Sequence, residues 1–80
     1  MYTIYSKQNC SFCLQAKDLL TMEQLPFEYL TLGTHYSLQE FMEFFPNAKS
    51  FPQIFVVDKN GNKELVGGYA ELVEHLKQQY

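Results

Sequence analysis

Tyr2-Thr3-Ile4-Tyr5-Ser6-Lys7-Gln8-Asn9-Cys10-Ser11-Phe12-Cys13 runs from a strand through a polar loop into a helix. Tyr2–Tyr5 are aromatic and β-branched, which favours a short strand. Ser6–Asn9 read as loop. Beyond Cys10 the apolar residues Phe12, Ala16, Leu19 and Leu20 recur at helical spacing, so a helix is expected from about Ser11 to Glu23. Pro26 requires that helix to have ended. Two cysteines three residues apart therefore fall in the turn between the first strand and the first helix. In that context Cys-x-x-Cys reads as a redox pair.

Downstream, Phe27–Leu32 alternate well enough for a second strand, and Gly33–Tyr36 read as a turn. Ser37 and Glu40 form a capping-box pattern that opens a second helix, with Leu38, Phe41, Met42 and Phe45 as its apolar stripe. Pro46 and Asn47 stop it. Pro52–Val57 is a strongly apolar strand. Asn60-Gly61 signals a tight turn into a partner strand over Lys63–Gly67. Gly67-Gly68 break that strand. Tyr69–Gln79 return to helical spacing, with Leu72, Val73 and Leu76 facing inward. The order is β-α-β-α-β-β-α. Strands joined across a helix are expected to be parallel and the hairpin antiparallel. The expectation is a mixed four-stranded sheet flanked by three helices, one domain over residues 1–80.

The chain has 80 residues, 46% of them hydrophobic, enough for one small core. Small cores often need a disulfide or a metal as a staple. A Cys10–Cys13 bond closes too short a loop to constrain much of the unfolded chain. A closed zinc site needs four ligands, and the remaining candidates, His35 and His75, lie in a turn and on the last helix, far from finger-type spacing. Both histidines read as surface residues, and no metal site is expected. Net charge is −3, with no arginine, which favours neither nucleic acid nor an anionic membrane as partner. No stretch approaches the roughly 18 apolar residues of a membrane span. Residues 1–10 carry no apolar run of the signal-peptide kind, so a reducing, cytoplasmic compartment is expected, where a close cysteine pair serves chemistry or metal binding more often than structure.

Thiol–disulfide chemistry needs a thiolate, and a free thiol with a pKa of about 8.5 is mostly protonated at neutral pH. Unpaired N–H groups and the dipole at a helix start favour the anion. Cys10 stands at that start, where it is expected to be exposed, and Cys13 lies one turn further in and more covered. Cys10 is thus the expected nucleophile and Cys13 the resolving thiol. Lys7, three residues before Cys10, reads either as a cation that steadies the thiolate or a substrate carboxylate, or as a solvated loop lysine. Lys49 reads as exposed. Phe41, Phe44, Phe45, Phe51 and Phe55 read as core or half-buried packing residues.

With these features in place the chain resembles a glutaredoxin, a member of the thioredoxin superfamily. The likeness rests on Tyr5-Ser6-Lys7-Gln8-Asn9-Cys10-Ser11-Phe12-Cys13, on Phe51-Pro52-Gln53-Ile54-Phe55 and on Val66-Gly67-Gly68-Tyr69, in the right order and spacing. It implies a dithiol enzyme that uses glutathione as co-substrate and reduces protein disulfides and glutathione mixed disulfides, working as a monomer with no tightly bound cofactor. It implies that Pro52 has a cis peptide bond facing the active cysteine and that the Phe51 backbone bonds the cysteinyl part of glutathione. Lys7 and Gln53 would lie at its glycine carboxylate, and Phe12 would pack beside it. Gly68, Tyr69, Ala70 and Glu71 would receive its γ-glutamyl end where the last helix begins.

Three positions depart from the family pattern. Ser11 replaces the usual proline between the cysteines, restoring an N–H and adding a hydroxyl near the sulfurs. Phe51 replaces a smaller residue and would narrow the groove. Ala70 stands where relatives carry a side chain that caps the last helix and touches glutathione, which Ala cannot do. Glu71 would repel a ligand carboxylate unless it bonds the α-ammonium. Phe51 and Ala70 support an alternative, a donor to ribonucleotide reductase recharged by thioredoxin reductase. Ser11 supports another, a carrier of a [2Fe–2S] cluster held between two subunits by Cys10 and glutathione. A redox-inert interaction module would need neither cysteine.

Overall fold

The computed structural model describes residues 1–79. Its elements are β1 (Tyr2–Ser6), α1 (Ser11–Met22), β2 (Phe27–Thr31), α2 (Leu38–Phe44), β3 (Gln53–Val57), β4 (Lys63–Gly67) and α3 (Tyr69–Gln79). This is the expected β-α-β-α-β-β-α order, a glutaredoxin-like or thioredoxin-like fold with one mixed four-stranded sheet. The strand order is β2-β1-β3-β4. β1 and β2, joined across α1, are parallel, and β3 and β4 form the antiparallel hairpin.

The expectation that every helix joins parallel strands fails at α2. β3 does not pair with β2; it lies antiparallel to β1, with Ile4 opposite Ile54 and Tyr5 opposite Gln53. The cause is length. α2 has only seven residues and does not return the chain to the far end of the sheet. β2 ends and β3 begins at the same end, the end that carries the cysteines.

Alternation along the strands divides the core. Ile4 and Ile54 face α1 and α3, where they join Ala16, Leu20 and Leu72, all 0% exposed, together with Tyr2 and Leu76. Tyr5 and Phe55 face the other way and pack with Tyr36, Phe41 and Phe45. Three assignments change here. Ser6, read as loop, is the buried last residue of β1, its hydroxyl donating to the Leu30 carbonyl at 2.8 Å. Tyr36, read as turn, is buried and donates its hydroxyl to the Ser6 carbonyl. Leu38 and Met42, read as part of the α2 stripe, are 55% and 61% exposed, and only Phe41 and Phe45 turn inward.

Local signals account for the helix ends. Ser37 and Glu40 form the reciprocal capping box at the start of α2. α1 closes with Leu25 N–H on the Leu20 carbonyl and Gln24 N–H on the Thr21 carbonyl, Gln24 taking a φ of 59°. That is a Schellman end with Gln at the position glycine usually holds. Between β3 and β4 the turn spans residues 58–62 and is organised by Asp58. Its carboxylate accepts the N–H groups of Asn60 and Asn62, each at 2.9 Å, and these bonds hold its pKa below the ordinary carboxylate value. Among Asn60 and Gly61 only Gly61 has a positive φ, 84°, so the loop is not a two-residue tight turn. The histidines are more engaged than expected. His35 Nδ1 accepts the Thr31 N–H at 2.9 Å, and half-buried His75 packs edge-on against Tyr2.

Candidate active site

The loop after β1 delivers Cys10 to the position just before α1. Asn9 takes a φ of 57°, a conformation Asn tolerates better than most residues. Cys10 is the N-cap of α1, extended at φ −120°, and its Sγ accepts the Cys13 N–H at 3.2 Å. A sulfur thus fills the capping role usually taken by a Ser, Thr or Asp oxygen. The same sulfur is bonded to Cys13 Sγ in a disulfide, with the Cα atoms 5.3 Å apart. Cys13 is fully buried, as expected. Cys10 is not the open residue expected, being only 9% exposed, because the disulfide draws its sulfur back over the first turn of α1.

The loop before β3 forms the opposite wall. The Phe51–Pro52 peptide is cis, and Pro52 is fully buried. The Phe51 ring stacks on Phe41 with centroids 4.4 Å apart, and the Lys7 ammonium lies 5.6 Å from the Phe51 centroid. Lys7 itself is exposed, so its charge reaches the site along an aromatic face. Gln53 is nearly buried, and its amide donates to the Ser50 carbonyl at 3.0 Å, bracing this loop from within.

The start of α3 makes the third wall. The first helical bond comes from Leu72 N–H to the Gly68 carbonyl, so Gly68, not residue 70, is the capping position. The Gly68 N–H donates to Glu71 Oε1 at 2.7 Å. Ala70 therefore leaves no gap in the cap: Glu71 supplies the returning half of a capping box three residues on. Phe12, 56% exposed, stacks on Tyr69 with centroids 6.0 Å apart and joins the first wall to the third.

A groove of about 280 Å³ runs between these walls, lined by Phe12, Ser50, Phe51, Pro52, Gly68, Tyr69, Ala70 and Glu71. A larger cleft of about 600 Å³ adjoins it through Ser50, Gly68 and Glu71 and contains Gln53 and Lys49. The structure thus gathers Phe12, Phe51, Pro52, Gly68, Tyr69, Ala70 and Glu71 into one groove, with Gln53 in the neighbouring cleft and Lys7 approaching through Phe51. Ser50 was missed by sequence reasoning, and its only signal was its place two residues before Pro52. Among the described residues no group of three or more His, Cys, Asp or Glu side chains is placed to hold a metal ion. Among the same residues no helix is long and apolar enough to cross a membrane.

A disulfide at the N-terminus of the first helix of this fold defines a disulfide oxidoreductase. The family model described as glutaredoxin matches residues 2–60, and the chain belongs to the glutaredoxin family. That membership implies use of glutathione and, in general, of protein disulfides. Solved structures agree on the fold. Glutaredoxin 1 from Francisella tularensis, complexed with cacodylate, is 19% identical over 96% of this chain and 92% of that chain, at a TM-score of 0.73. Glutaredoxin from Brucella melitensis is 26% identical over 96% of this chain and 78% of that one, at a TM-score of 0.71. The holo form of glutaredoxin C1 from poplar (Populus tremula x tremuloides) is 22% identical over 98% and 68%, at a TM-score of 0.73. No curated protein matches the chain.

Proposed function

We propose that this protein is a glutathione-dependent reductase of protein disulfides and glutathione mixed disulfides, with Cys10 as nucleophile and Cys13 as resolving thiol. The observation that carries the reading is the Cys10 sulfur at the N-cap of α1, within hydrogen-bond distance of the Cys13 N–H and disulfide-bonded to Cys13. That N–H and the helix dipole favour a thiolate at Cys10 over one at buried Cys13.

With a glutathione mixed disulfide, the Cys10 thiolate attacks the glutathione sulfur. The S–S bond breaks and the other thiol leaves as a thiolate that takes a proton from solvent. A second glutathione thiolate then attacks the Cys10-bound glutathione sulfur, releasing glutathione disulfide and restoring the Cys10 thiolate. With a protein disulfide, Cys10 attacks one sulfur and the other leaves. Cys13 then attacks Cys10 Sγ, freeing the second substrate thiol and forming the Cys10–Cys13 disulfide. Two electrons pass in each cycle: one free glutathione completes the first, and two complete the second, one opening the Cys10–Cys13 disulfide and the next leaving with it as glutathione disulfide. Phe51, Pro52, Gln53, Gly68, Tyr69, Ala70 and Glu71 would line the bound tripeptide, with Phe12 beside it and the Lys7 ammonium near its glycine carboxylate.

The test is to trap the intermediate. Cys13→Ser incubated with glutathione disulfide is expected to gain one glutathione, and peptide mapping to place it on Cys10. An adduct confined to another residue, or none, contradicts the assignment. A second reading, recharging by a flavoprotein reductase for supply of ribonucleotide reductase, draws support from the bulk of Phe51 and the carboxylate of Glu71 in the groove. Reduction of the oxidised protein by thioredoxin reductase but not by glutathione selects that reading.

A further inference from the structure

We propose that the larger cleft on the aromatic face docks the polypeptide flanking a substrate disulfide, and that it selects an acidic segment carrying a large apolar side chain. The proposal rests on the thiol chemistry of Cys10 and Cys13 given above, and not on the use of glutathione.

The cleft exists because α2 is short. Its end brings Phe44 and Phe45 over Tyr5, and Phe45 stacks on Phe55 with centroids 4.9 Å apart. The cover stops there. Across the hairpin Phe55 pairs directly with Leu65, and Val57 with Lys63, so these side chains share the aromatic face. Phe55 stays half-buried, Leu65 is 55% exposed and Phe44 is 49% exposed. With the loop that carries Lys49 and Ser50 they wall a cleft of about 600 Å³, a volume in the range of ligand sites.

Position and charge name the occupant. The cleft adjoins the groove at Ser50, Gly68 and Glu71, and the groove is walled by Phe12, which stands between the two cysteines in sequence. A chain that lies in the groove and continues past Ser50 enters the cleft. The molecule has a net charge of −3, yet Lys49 lies on the cleft wall and the Lys63 ammonium lies 5.9 Å from the Phe55 centroid. Glu71, the acidic residue of the wall, stands at the groove end with one oxygen on the Gly68 N–H. At physiological ionic strength the net charge is screened beyond about 8 Å, so a preference for an acidic chain has to come from the nearby lysines. The resemblance assigns none of Phe44, Lys49, Phe55, Lys63 and Leu65 to glutathione.

In the reaction the Cys10 thiolate attacks one sulfur of the docked disulfide and the other leaves as a thiolate. Cys13 then attacks Cys10 Sγ. The substrate departs reduced by two electrons, and the protein is left with the Cys10–Cys13 disulfide.

The experiment mixes pre-reduced protein with peptides closed by a disulfide between two cysteines and flanked on both sides by Asp-Phe-Asp, Ser-Gly-Ser or Lys-Phe-Lys. No glutathione is present. The second-order rate constant of a single turnover is divided by that of dithiothreitol on the same peptide, which removes the peptide's own reactivity. Wild type is expected to favour Asp-Phe-Asp over Ser-Gly-Ser about fivefold or more, the scale of two exposed charge contacts with an apolar one. Lys49→Ala combined with Lys63→Ala should cut that advantage about two- to fivefold, and Leu65→Ser about twofold. Lys49→Glu combined with Lys63→Glu should turn the preference to Lys-Phe-Lys. All these variants should reduce the mixed disulfide of glutathione and 2-mercaptoethanol as wild type does. Equal normalised rates in wild type, or a preference that both lysine variants retain, overturns the proposal. Equal rates together with a dimer that Leu65→Ser dissolves on sedimentation give the cleft to a second copy of this chain instead. Failure to turn over the mixed disulfide, with the peptide preference intact, removes the glutathione reading and leaves the docking site standing.

Discussion

Beneath α1 and α3 the sheet is covered by aliphatic side chains, and Ile4, Ala16, Leu20, Ile54 and Leu72 have no exposed surface. Beneath α2 the cover is aromatic: Tyr5 touches Tyr36, Phe44, Phe45 and Phe55 edge-on, and Phe41 stacks on Phe51. The first face is closed. The second is open at its margins, where Phe51 and Phe55 are half-buried beneath Lys7 and Lys63. Cys13 is buried on the first helix, while the groove wall opposite is built from the aromatic side. The difference teaches that stability and site shape are held by separate halves of a small molecule. The aliphatic half fixes α1 and so the thiol. The aromatic half sets the width of the groove.

The largest effect expected from breaking this division is in the aliphatic half. Leu20→Ala removes a fully buried side chain and should cost about 2–5 kcal/mol in chemical denaturation. Below its melting temperature the variant should keep its kcat/KM, since Leu20 touches no part of the groove. Phe51→Ala is expected to cost less stability, about 1–3 kcal/mol, because the ring is only half-buried. It should also raise KM for a glutathione mixed disulfide, because the surface that guides Lys7 is gone. A variant that changes KM without stability, or stability without KM, would separate the aromatic cluster from the groove. The smallest effect at neutral pH is that of Tyr36→Phe, about 1 kcal/mol for one hydrogen bond, since the Ser6 carbonyl keeps the Leu32 N–H.

That tyrosine also gives a pH test. Burial, helped by the neighbouring Tyr5 and Tyr29, pushes the Tyr36 pKa up from 10.0 to about 12. Its folded pKa is raised, so its contribution is complete below about pH 10 and is lost as pH rises towards 12, where the unfolded chain gives up the proton first. Denaturation midpoints should therefore fall across that window, and fall less in Tyr36→Phe. An identical alkaline profile in the variant would show that Tyr36 is not held protonated by its burial.

Much of this was legible in the sequence, for physical reasons. The strands, the Cys-x-x-Cys turn, the capping box at Ser37 and Glu40 and the breaks at Pro26 and Gly67-Gly68 are local signals, and local chemistry decides them. The direction of β3 was not legible, because it depends on how far a seven-residue helix carries the chain. Leu38 and Met42 misled because α2 is apolar on several rows at once, and hydrophobicity does not say which row meets the sheet. Tyr36 and Ser6 were hidden because their burial comes from each other, across 30 residues of sequence. In the site, the cysteines could be read from pattern, and the other groove residues, Ser50 excepted, were named only through the family resemblance. The role of Glu71 could also have been read from pattern: Gly68-Tyr69-Ala70-Glu71 carries an acceptable cap and a Glu at the third helical position.

The central claim is that two sulfurs at the start of α1 divide the labour. It is tested most directly by a glutathione-coupled reduction assay of wild type, Cys10→Ser and Cys13→Ser on a glutathione mixed disulfide and on a protein disulfide. Cys10→Ser is predicted to lose both activities, and Cys13→Ser to keep the first and lose the second. Full activity of Cys10→Ser on the mixed disulfide would contradict the account.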